Sequence, residues 1–165
     1  MREVDRLADQ LTQTYAGDST GAAWYGPALR PLLRGVSPAA AARRPLPRRH
    51  TIWELALHLA ANVDFVLARL DGRELELSLE ADWPPAPEPT AATAEAWAAA
   101  LAALDARYEA LLARVRALDD EQLAEPVVGR PYPVYAMLHG IIQHNVYHAG
   151  QVALLREAAP TSGAG

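Results

Sequence analysis

A chain of 165 residues has the length of one domain, and with 51% of its residues apolar it can bury a substantial core. A formal net charge of -5 leaves no basic face for a nucleic acid, and no apolar run reaches the roughly 18 residues of a membrane span, so neither partner is expected. The absence of cysteine excludes disulfides, thiol nucleophiles and iron–sulfur clusters.

The N-terminus, Met1-Arg2-Glu3-Val4-Asp5-Arg6, leads into no apolar signal core, so a cytoplasmic location is expected. Ala dominates the composition and favours helix, while Val, Ile and Phe are few, so an all-α domain is expected. Residues 2–16 carry Val4, Leu7, Ala8, Leu11 and Tyr15 at helical spacing, and Gly17 begins a break. A second piece, 27–35, places Pro27 in a first turn and Gly35 at a C-terminal cap. The two pieces read as one interrupted helical layer.

Residues 36–50 form a Pro-containing linker with a short helical turn at 39–42. Its Arg43-Arg44 and Arg48-Arg49 pairs, interrupted by Pro45 and Pro47, read as solvated loop charge. Thr51 with Glu54 makes a capping box that opens a helix to about residue 70, ended by Asp71-Gly72. Residues 81–89, with Pro84, Pro85, Pro87 and Pro89, are an irregular connection. Thr90 or Thr93 begins a long helix to about residue 118 with a stripe from Trp97 to Val115. The last helix spans 134–158, and 159–165 reads as a flexible tail. Four main helices of about 20 residues imply one four-helix-bundle domain over 1–158, with long connections.

His144 and His148 stand i, i+4 on that last helix, so both imidazoles share one face. Leu138, Ile141, Ile142, Val146 and Val152 mark it as a core helix, where inward imidazoles need partners. A lone histidine such as His58, between Leu57 and Leu59, is more often a satisfied core residue than a ligand. Because the pair lacks a third member, it becomes a candidate third ligand of a three-histidine site with open positions. Asn62, Gln151 and Glu54 are candidates to orient these rings. His139, about 140° around the helix from His144, is assigned a structural hydrogen bond, and His50 a place at the helix entrance or mouth. Tyr25 and Trp53 are candidate pocket-lining residues. No phosphate loop, nucleophile elbow or Glu-x-x-His pairing is present.

The string Thr51-Ile52-Trp53-Glu54-Leu55-Ala56-Leu57-His58 and the segment 138–156, with His144, Tyr147-His148-Ala149-Gly150-Gln151 and Leu154-Leu155-Arg156, resemble the DinB-like superfamily. Segments 24–29 and 129–135 are similar to that family as well. The group comprises four-helix-bundle metal-dependent proteins, including S-transferases that use bacillithiol or mycothiol and a mycothiol-dependent isomerase. The resemblance implies a divalent ion (Zn, Ni, Fe or Mn) on His58, His144 and His148, and frequent homodimers. Tyr25 stands where some relatives carry histidine. The expected function is a metalloenzyme acting on a small molecule, by S-transfer from a low-molecular-weight thiol or by metal-assisted hydrolysis. The alternative is a non-catalytic metal-binding or dimerising bundle with a stress-response or sensor role.

Overall fold

Each long helix forms where an apolar stripe meets a start signal, and the computed structural model, which describes residues 1–158, shows where each signal is satisfied. The expected tail at 159–165 lies outside the described residues. Helix α1 (Glu3–Tyr15) buries Val4, Leu7, Ala8, Leu11 and Tyr15. Arg2 cannot cap it, so Asp120 does the work from a distance, accepting from the amides of Glu3 and Val4 at 2.9 Å each. A two-residue hairpin follows, β1 (Ala22–Ala23) against β2 (Gly26–Pro27), and then two short helices, α2 (Leu29–Arg34) and α3 (Pro38–Ala42).

Helix α4 (Ile52–Leu70) opens with the expected capping box: the Glu54 amide donates to Thr51 Oγ1 at 3.0 Å and the Thr51 amide to Glu54 Oε2 at 2.7 Å. A single turn, α5 (Leu79–Asp82), interrupts the next connection. Helix α6 (Ala94–Arg116) is capped by Thr93, and α7 (Val134–Glu157) starts after Pro133, its first amide satisfied by the Glu125 carbonyl at 2.9 Å. A 3-10 turn at Gln122–Ala124 lies between them.

The four long helices pack as a ring in the order α1, α6, α4, α7. Arg2 reaches the carbonyls of Arg116 and Leu118 while Tyr15 reaches Asp105, so α1 and α6 run antiparallel. Trp53 meets Trp97, Asp64 binds Arg107 and Leu70 binds Arg114, so the neighbours α4 and α6 run parallel. Parallel neighbours cannot be joined by a tight turn. The chain must travel back along α4 to start α6, and this is why 71–93 is long. It leaves beside Arg69, whose buried guanidinium donates to the Leu75 carbonyl at 3.0 Å and Glu76 at 2.6 Å, and it passes His58 at Asp82.

The all-α four-helix bundle is as expected, with three local differences. Pro27 lies in β2 rather than in a helical turn, and α2 starts at Leu29. The hairpin folds the chain back on itself, so α1 and α2 are not one interrupted layer; α2 packs mainly on α7, where Arg156 donates to the Leu32 carbonyl at 3.0 Å. The connection expected to be irregular over 81–89 begins inside helix α5, which holds residues 81 and 82 and is capped by the Ser78 side chain accepting from the Ala81 amide. Among the described residues, no helix is long and apolar enough to cross a membrane.

Candidate metal centre

Helices α4 and α7 bring three imidazoles together at mid-length. The Nε2 atom of His144 lies 3.0 Å from Nε2 of His58 and 3.0 Å from Nε2 of His148. The cluster is mostly shielded from solvent, with His58 and His148 buried. One ligand atom from each of the three rings lies within 4.8 Å of the others.

The outer nitrogens decide where the protons sit. His58 Nδ1 faces two acceptors, the Asp82 carbonyl at 2.8 Å and Asp82 Oδ1 at 3.0 Å. His148 Nδ1 faces Gln151 Oε1 at 2.7 Å. Both rings therefore carry their proton on Nδ1 and present a bare Nε2 lone pair to the centre. Burial pushes His144 down to about 3 and His148 down to about 4, and it lowers His58 against the opposing pull of Asp82. All three rings are neutral near pH 7. His144 has one proton and two neighbouring lone pairs at 3.0 Å, and its Nδ1 is buried without a partner.

The arrangement is short of positive charge at its centre. Imidazole nitrogens bind first-row divalent ions at about 2.1 Å, so two that share an ion at right angles stand about 3 Å apart. The residues fit such an ion in both spacing and protonation.

Asn62 acts through Asp82: its Nδ2 donates to Asp82 Oδ1 at 2.9 Å and to the His58 carbonyl at 3.0 Å. Trp83 covers the outer side of the centre. Its ring stacks on His58 with centroids 3.7 Å apart and on His50 at 3.6 Å, a three-ring pile at the helix entrance. The 71–93 connection thus crosses the α4/α7 groove at the level of the histidines and leaves a cavity on either side. One, of about 460 Å³, is lined by residues 46 and 48–50, by Leu55, Trp83, Tyr147, His148 and Gln151, and by Leu154 and Leu155. The other, of about 390 Å³, reaches His144 and Asn62 between apolar walls that include Phe65, Val66, Met137 and Ile141.

The structure corrects four placements. Glu54 does not orient His58; it caps α4 and binds Arg44 at 2.7 Å, with His50 Nδ1 at 3.4 Å. Trp53 is a core residue, packed on Trp97 with centroids 4.9 Å apart, and lines neither cavity. Tyr25 lines neither cavity and donates to the Thr14 carbonyl at 3.2 Å. His139 makes no hydrogen bond through its buried Nε2 and instead meets Tyr135 edge-on.

Three residues of the site region escaped sequence reasoning. Asp82 and Trp83 sit in a Pro-rich connection whose path is set by the parallel pairing of α4 and α6. Asn145 is fully buried beside His144; Tyr108 donates its hydroxyl proton to Asn145 Oδ1, and Asn145 Nδ2 donates to Thr14 Oγ1 at 3.2 Å. Its signal was present in the sequence: Ile141, Asn145, His148 and Val152 follow helical spacing on one buried face.

No curated protein and no solved structure matches the chain significantly. Residues 23–152 match the family model of the DinB superfamily. That match spans most of the chain, from the hairpin through both histidine-bearing helices, and the chain therefore belongs to the DinB superfamily.

Proposed function

We propose that this chain is a divalent-metal enzyme that transfers a low-molecular-weight thiol of the bacillithiol or mycothiol kind onto a small electrophile. His58, His144 and His148 would hold the ion. The convergence of three neutral imidazoles on one point, reached by a cavity from each side, carries the reading. A divalent ion held there supplies Lewis-acid chemistry, lowering the proton affinity of a thiol or water that meets it.

The chain's own residues do the rest. Asp82 and Gln151 keep the protons of His58 and His148 on Nδ1, so both lone pairs stay aimed inward. Trp83 excludes water from one face of His58. Without a cysteine of its own, the chain must take its thiol from a co-substrate, and two separate cavities suit two reactants better than one. The native metal is one of Zn, Ni, Fe or Mn. A homodimer completes the proposal on the strength of the family resemblance.

The test is a thiol-consumption assay with bacillithiol and mycothiol against monochlorobimane, using protein loaded with each ion in turn. Conjugation that needs the ion and is lost in His144→Ala supports S-transfer. Ester cleavage with no thiol consumed would replace it with hydrolysis. No binding of any first-row divalent ion refutes the metal reading altogether.

A further inference from the structure

The cavity beside residues 46–50 has a charge pattern opposite to that of the chain. The chain holds 20 acidic residues against 15 basic ones, yet this cavity is lined by Arg48, Arg49 and His50 and by no carboxylate. Most arginines elsewhere are neutralised: Arg34 on Asp105, Arg107 on Asp64, Arg114 on Asp71. Among the described residues, Arg48 and Arg49 have no carboxylate within ion-pair distance. The nearby Glu54 is already engaged by Arg44 and the Thr51 amide. Asp82, behind Trp83, is engaged by His58 and Asn62.

The backbone shows that Arg48 is held in place at a cost. Leu46-Pro47-Arg48-Arg49 is a turn closed by the Arg49 amide on the Leu46 carbonyl at 3.3 Å. Arg48 has φ 63, at a position that glycine or asparagine fills in a turn of this type. Among the described residues it is the non-glycine residue with positive φ. Arg44 ties the turn to α4 by donating to both the Arg49 carbonyl and Glu54. Behind the two cations the walls are apolar, with Leu55, Leu155 and the exposed Tyr147, and His148 also lines the cavity.

We propose that this cavity is the site of an oxyanion-bearing small molecule with an apolar body, its anionic group on Arg48 and Arg49 and its other end at His148. The proposal rests on the metal-enzyme reading only in making that molecule the electrophilic reactant. Arginine forks pair with carboxylate and phosphate groups in two parallel hydrogen bonds, and a partly enclosed cavity strengthens them. The second cavity, with its apolar walls, offers no such cation.

Calorimetric titration of the zinc-loaded full chain with 2-naphthoate, 2-naphthyl phosphate and the neutral 2-naphthalenemethanol tests it. The anions are expected to bind about ten-fold or more tighter than the alcohol, and the ratio between the two anions reports which group the arginines prefer. In Arg48→Gln/Arg49→Gln the advantage disappears while zinc affinity stays. Arg48→Gly relieves the turn and raises the unfolding midpoint, yet weakens both anions. Equal affinity for anions and alcohol, or an advantage that survives the double substitution, overturns the inference. Zinc bound without anion preference leaves the metal reading standing and removes this one; anion preference in protein that binds no zinc does the reverse.

Discussion

Acidifying the metal-free protein should destabilise it well above the pH at which carboxylates titrate. In the unfolded chain each histidine takes up a proton near its ordinary value of 6.5, whereas in the fold burial holds His144 down to about 3 and His148 down to about 4. Both folded values lie below the unfolded one, so stability is complete above pH 6.5 and falls as the pH drops towards the folded values. One pH unit below 6.5, each of these two histidines removes about 1.4 kcal/mol, together about 3 kcal/mol. That is a large part of the 5–15 kcal/mol typical of a domain. His58, also lowered, adds in the same direction. Carboxylates held low by their partners, such as Glu54, act only at more acid pH and leave this window clear. The assay is urea unfolding in a chelator at pH 7.5 and 5.5, for the native chain and for His144→Gln/His148→Gln. The native chain should lose about 3 kcal/mol between the two conditions, and the variant little of it. An equal loss in both proteins, or none in the native chain, would refute the account of three neutral, desolvated rings.

Three other outcomes follow from single contacts. Asp82→Ala removes one acceptor from His58 Nδ1 and frees Asn62, and zinc affinity measured by chelator competition should fall about ten-fold or more while helix content holds. Tyr108→Phe leaves Asn145 Oδ1 without its donor in a fully buried position, so the denaturation midpoint should show a loss of about 1–3 kcal/mol although the stacking on Tyr15 is kept. Gly17→Ala places a methyl 2.5 Å from the Gly21 carbonyl carbon at a residue with φ 77; thermal unfolding should report a clear loss of stability, of order 1–3 kcal/mol, with the histidine centre intact.

Local signals in the sequence were faithful. The Thr51/Glu54 capping box, the Gly35 end of α2 and the His144/His148 spacing each depend on residues within four positions, and each appears as read, while Thr93 is the one of two candidate threonines that caps α6. Gln151, three residues beyond His148, was equally legible and does reach its ring. Tyr25 and Trp53 were misplaced because an aromatic near a site motif has no fixed direction. A hairpin turns the first toward Thr14, and the second packs on Trp97 beside its helix start. Asp82 lies 24 residues from its partner His58 and was out of reach of any local pattern.

Helix direction explains that last gap and also explains the site. Had α4 and α6 been antiparallel, a short turn beyond Leu70 would have joined them and the α4/α7 groove would have stayed open along its length. Because they run parallel, the return connection has to lie along α4, and it lies against the histidine face. There it brings three things that the bundle helices do not supply: an acceptor pair for His58 Nδ1, an aromatic wall in Trp83, and a bar that divides one groove into two cavities of different character. On the proposed reading, the i, i+4 spacing and a facing histidine would carry the metal. On the same reading, discrimination between reactants would fall to the connections, where Arg48 and Arg49 flank one cavity and leave the other apolar. Relatives that keep the three histidines but change the segments matching 46–50 and 78–86 should therefore keep metal affinity and change substrate. Exchanging segment 46–50 for a neutral turn such as Leu-Pro-Gly-Ser-His in this chain should leave zinc binding intact while abolishing the preference for anions. Loss of zinc binding in that exchange would show that the two functions are not separable in this way.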